Sequence, residues 1–172
     1  MNLAFYRIGN LVLVSIATVI GFLCGLHFGS NSPRVAAHNR LSMWMVLSNN
    51  LRVGGLIILL GLISLGVGSL ILIAYNQVIF GAAVSGVYMQ SGWEPIVTGV
   101  LPHALPELAA TAICGVLGFE SWRALRIIKR RIVSGDKIPF GAKGIIVLGC
   151  CALGLYLLGA IIESTISYVK VG

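Results

Sequence analysis

His103 and Glu107 stand four residues apart in the stretch Leu101-Pro102-His103-Ala104-Leu105-Pro106-Glu107-Leu108. That spacing places an imidazole and a carboxylate on one helical face, which Thr111 and Cys114 extend. Such a pair can act as general acid and base, or supply two ligands to a metal ion. A metal needs a third ligand, and neither Cys114 nor His27 stands at a spacing that supports one, so no metal is predicted from the sequence. The structural alternative is that His103 and Glu107, with Asn76, satisfy backbone groups freed by Pro102 and Pro106. The motifs GxxxxGK[ST], GxSxG and HExxH do not occur. No cofactor is expected, and energy for any transport must come from a partner.

These residues have to be positioned in an unusually apolar chain. Of 172 residues, 58% are hydrophobic and 10% charged, against about 45–50% and about 25% in ordinary soluble domains. The polar side chains are too few to cover a water-facing surface. The composition therefore excludes a soluble globule and predicts a single all-α, polytopic membrane domain. With 12 Lys and Arg and a net charge of +7, the basic residues suit anionic lipid and the inner membrane face, not nucleic acid. Cys24, Cys114, Cys150 and Cys151 show no CxxC spacing and read as small hydrophobes.

A hydrocarbon layer of about 30 Å takes about 20 apolar helical residues. Ile8–Phe28, Val53–Tyr75 and Gly144–Ile162 meet that length, the last continuing past Glu163 towards Tyr168. Ile8–Phe28 is longer than the about 7–15 residues of a signal-peptide core and reads as a retained helix. Ile96–Glu120 is predicted to be broken in its first half, with a regular helix starting near Leu105 and Pro106 opening it so that Glu107 meets its positive end. Val78–Gln90 is short for a crossing and reads as a re-entrant half-helix that begins at Asn76. Glu163 and His27, near helix ends, are read as interfacial.

Arg123, Arg126, Lys129, Arg130, Arg131, Lys137 and Lys143 mark residues 121–143 as a cytoplasmic loop. The preferred arrangement is four full crossings plus a re-entrant pair, which adds Arg34, Arg40 and Arg52 to the inner side. A five-crossing arrangement with the N-terminus inside is the alternative. Pro33–Leu51 reads as an interfacial amphipathic helix. In Trp122–Ile132, apolar residues at helical spacing lie beside Arg123, Arg126, Lys129, Arg130 and Arg131, which suits a lipid anchor or the docking of an acidic partner. Gly21, Gly25 and Gly29, and Gly54, Gly61 and Gly68, form stripes for close helix packing, within the chain or in a homo-oligomer.

Asn49-Asn50-Leu51-Arg52-Val53, a glycine-rich helix, Asn76-Gln77-Val78-Ile79-Phe80-Gly81 and the Leu101–Leu108 element follow one another over about residues 45–120. This order resembles the stage II sporulation protein M family of bacterial integral membrane proteins. The family pattern usually has Asn-Gly at Asn76-Gln77 and His-Gly at His103-Ala104. The resemblance implies a multi-pass protein of the bacterial cell membrane without known enzymatic activity. The family's namesake works with wall-degrading proteins in sporulation engulfment, and other members accompany ABC transporter ATPases, including in circular-bacteriocin gene sets. The expectation is a non-enzymatic subunit for peptide export or maturation, with the bilayer, other membrane subunits, a cytosolic ATPase and a peptide as partners. An envelope organiser and an intramembrane peptide-bond enzyme using His103 and Glu107 are the alternatives.

Overall fold

The computed structural model describes residues 3–29, 42–135 and 141–166, and the elements within them are helical. In chain order these are α1 (Leu3–Gly29), α2 (Met43–Ile63), α3 (Val67–Ser91), a π-helical turn (Ile96–Val100), α4 (Leu101–Gly118), α5 (Glu120–Ser134) and α6 (Lys143–Ile166). Among the described residues, 5 helical stretches are long and apolar enough to cross a membrane. Large apolar side chains such as Ile20, Leu23, Ile71 and Ile146 face outwards, as expected where the solvent is lipid.

Two expectations about the crossings change. The stretch Val53–Tyr75 is not one span, because the chain reverses at Ser64-Leu65-Gly66. Leu65 and Gly66 take positive φ values of 58° and 101°, and the Gly66 N–H donates to the Gly61 carbonyl at 2.7 Å, a Schellman closure of α2. Ser64 Oγ donates to the Leu60 carbonyl and accepts from the Gly68 N–H, both at 2.6 Å, which joins the end of α2 to the start of α3. Apolar residues flank this turn, so hydropathy alone cannot reveal it.

Consequently Val78–Gln90 is not a half-helix. It forms the second half of α3, a helix of 25 residues. The polar pair before it does not break the helix, because Gln77 is only 2% exposed and lies inside the bundle. Five helices are long and apolar enough to cross, which fits the five-span arrangement instead of four plus a re-entrant pair. Met43–Leu51 forms the first turns of α2 and belongs to a spanning helix rather than an interfacial one; residues 33–41 lie outside the described residues.

The fourth span is irregular earlier than expected. The Leu101 N–H bonds to the Ile96 carbonyl, closing the π-helical turn, and α4 then runs without a break through Pro106. Pro102 is the second residue of α4, directly after the π-helical turn. The regular helix therefore starts at Leu101, not Leu105, and Glu107 lies in its interior rather than at a helix opening.

Helix α1 packs along α3, α6 along α4, and α2 touches α3, α4 and α6. Val14, Ile57, Ile73, Ala110, Cys114 and Tyr156 form the core between them. The α1–α3 seam depends on glycine: a Cβ on Gly25 would stand 2.9 Å from the Gly81 Cα and the Ala82 N, both backbone atoms. Gly21 and Gly29 meet α3 backbone in the same way, Gly54 meets Tyr156, Gly61 meets Gly118, and Gly68 meets the end of α2. Both predicted stripes are thus used within one chain.

Candidate functional site

Chain geometry concentrates polar side chains in two places. At one end of the bundle α4 breaks at Phe119 and α5 begins. Glu120, 4% exposed, pairs there with Arg7 of α1 at 2.8 Å and with Arg123. Tyr6 Oη donates to the Phe119 carbonyl at 2.6 Å, and Arg126 lies over the Tyr6 and Trp122 rings at 5.5 and 5.2 Å. Arg123, expected to meet a partner, is instead buried and bound to Glu120. Lys129, Arg130 and Arg131 lie on exposed parts of α5.

The second concentration is a cleft of about 250 Å³ bordered by Asn50 of α2, Asn76 and Gln77 of α3, Glu107 and Thr111 of α4, and Tyr156 of α6. It lies away from the Glu120 cluster. Gly144, near the start of α6, adjoins Arg7, whereas Glu163 is near the other end of that helix.

Asn50 Nδ2 donates to Glu107 Oε1 at 2.6 Å and fixes the carboxylate between α2 and α4. His103, one turn earlier on α4, has Nδ1 at 2.9 Å from the Gly99 carbonyl in the π-helical turn. A carbonyl only accepts, so Nδ1 is the donor. Glu163 of α6 joins them: one ligand-type atom each of His103, Glu107 and Glu163 falls within 4.8 Å of the others. One turn further along α4, Thr111 Oγ1 and Tyr156 Oη lie 3.1 Å apart, and Tyr156 Oη reaches Cys114 Sγ at 3.9 Å.

Gly159 makes room for this arrangement. A Cβ there would stand 2.6 Å from Glu107 Cγ, so only glycine lets α6 pass the carboxylate in its observed position. Gln77 Oε1 is buried and has no hydrogen-bond partner among the described residues.

The structure therefore brings His103, Glu107 and Thr111 together on one face of α4, with Asn76 across the cleft. Pro106 sets no helix terminus. Asn50, Gln77, Tyr156, Gly159 and Glu163 were not singled out for the site by sequence reasoning. Tyr156, Gly159 and Glu163 recur at intervals of three and four, one helical face, and that periodicity was the available signal. Chemically the cluster offers an imidazole and two carboxylates for proton transfer or metal ligation, beside amides that can bind a peptide group.

A helical bundle with lipid-facing apolar surfaces and a partly buried polar cleft defines a multi-pass membrane protein. The chain belongs to the SpoIIM family, matching Stage II sporulation protein M over residues 10–168. That span extends well beyond the motifs at residues 45–120. No curated protein and no solved structure matches the chain.

Proposed function

We propose that the protein is the membrane-embedded subunit of a complex that exports or matures a peptide, and that its cleft receives a polar segment of that peptide. The observation that carries this reading is the cleft's lining. The amide side chains of Asn49 and Asn50 from α2 and of Asn76 and Gln77 from α3 border it. Amide side chains both donate and accept hydrogen bonds, so such a lining suits an occupant that brings N–H and C=O groups, as a peptide backbone does.

Charge gives the orientation. With five crossings, Arg7, Arg123, Arg126, Lys129, Arg130, Arg131 and Lys143 fall at one end, which is the cytoplasmic one by the positive-inside rule. The cleft then lies towards the outer half of the bilayer. The exposed basic face of α5 is the surface on which an acidic cytosolic partner, such as an ATPase of the ABC class, would dock.

Replacing Glu107 by Gln in the native host tests the reading. The variant is expected to accumulate in the membrane at the wild-type level while at least one secreted peptide disappears from the culture fluid, as measured by mass spectrometry. An unchanged set of secreted peptides would overturn it.

A further inference from the structure

We infer that His103, Glu107 and Glu163 form a binding site for a divalent first-row transition-metal ion. The inference does not require the peptide reading, since an ion can bind here whatever enters the cleft.

Three observations converge on it. The first is ligand geometry. Two donors at about 2.0–2.2 Å from a shared ion stand at most about 4.4 Å apart, and the three side chains already bring donor atoms within 4.8 Å of one another. Small torsional changes in two glutamate side chains close the remaining distance.

The second is the support around the ligands. A metal-binding histidine usually donates its other ring N–H to a carbonyl or carboxylate, and ligating carboxylates are themselves hydrogen-bonded. The Gly99 carbonyl takes the His103 Nδ1 proton at 2.9 Å, and Asn50 Nδ2 holds Glu107 Oε1 at 2.6 Å. The π-helical turn thus has a role, because it carries the carbonyl that orients the imidazole.

The third is charge. Glu107 and Glu163 stand close together in a spanning region and are both partly buried. Among the described residues neither has a Lys or Arg partner, the ion pairs of Arg7 and Arg123 being made with Glu120. Two neighbouring, partly buried carboxylates repel each other, and a divalent cation between them removes that repulsion.

The donor set selects the ion. One imidazole with carboxylates suits Mn²⁺, Fe²⁺ or Zn²⁺, whereas Mg²⁺ and Ca²⁺ prefer oxygen alone. Three protein ligands would leave coordination positions for water or a peptide carbonyl.

The test uses the full chain in mild detergent, stripped with a chelator and dialysed against Mn²⁺ or Zn²⁺, with bound metal measured by mass spectrometry. A single ion per chain is expected. Glu163→Gln and His103→Asn should each weaken binding by about a hundredfold or more, and Asn50→Leu by about 10–100-fold. Glu94→Gln, at an exposed residue outside the cluster, should leave binding unchanged. Only variants that elute as monodisperse protein are compared. The wild-type Mn²⁺ form supplies a second reading, since pulsed EPR should detect ¹⁴N coupling from a histidine. Absence of stoichiometric binding, absence of nitrogen coupling, or full binding by folded Glu163→Gln and His103→Asn would each overturn the inference.

Discussion

Replacing Gly159 by alanine tests whether α6 is shaped around Glu107. The added methyl would lie 2.6 Å from Glu107 Cγ and 3.1 Å from Oε1. Reaching an ordinary carbon–carbon separation of about 3.5 Å requires the side chain to retreat by about 0.9 Å. Glu107 Oε1 is held at 2.6 Å by Asn50, so a retreat of that size takes the bond beyond the usual limit of about 3.2 Å. Losing a hydrogen bond to a charged group costs about 1.5–3 kcal/mol. Alanine in a helix interior returns about 0.5–1 kcal/mol relative to glycine. A Cβ on Gly154, in the same helix, would meet nothing within 4 Å, and Gly154→Ala should show that gain alone. The difference between the two variants therefore isolates the site and should be about 1.5–3 kcal/mol. Unfolding in mixed micelles by titration with sodium dodecyl sulfate measures it. Gly159→Ala protein as stable as Gly154→Ala protein would refute the reasoning.

Gly25→Leu should prevent stable packing of α1 on α3, because backbone atoms of α3 lie 2.9 Å from the first added carbon; Gly55→Leu, where a Cβ meets nothing within 4 Å, should be tolerated, and yield of monodisperse protein distinguishes them. Glu120→Ala removes the buried carboxylate that pairs with Arg7 and Arg123 and should cost about 3–5 kcal/mol in the same unfolding assay. Thr111→Val removes one of the two partners of Tyr156 Oη, the other being Cys114 Sγ, and should cost only about 0.5–1.5 kcal/mol. Reversing Lys129 and Arg130 to Glu should abolish co-purification of an acidic cytosolic partner while leaving micellar stability unchanged, since these side chains are exposed; retained co-purification would contradict docking on α5.

The helical membrane class was legible because apolar composition and span length depend on the chain alone. The spacing of His103, Glu107, Thr111 and Cys114 likewise placed them on one face of α4 before any packing was known. Topology was harder to read, because the reversal at Leu65 and Gly66 is made by backbone torsion within an apolar run and leaves no polar mark. The pair Asn76-Gln77 misled in the opposite direction. Polar residues within a span suggest a break when they face lipid, whereas here Gln77 is enclosed by neighbouring helices. Glu163 and Asn50 were separated from Glu107 by long stretches of chain, and only the packing of α2 and α6 against α4 reveals that the three meet.

The claim that the cleft receives a peptide is tested most directly by replacing Phe80, which borders it, with a photoreactive phenylalanine analogue in native membranes. After illumination, mass spectrometry identifies whatever becomes attached. The account predicts an adduct with a peptide other than this chain, reduced by Glu107→Gln without loss of membrane-inserted protein. Attachment to lipid alone would contradict it.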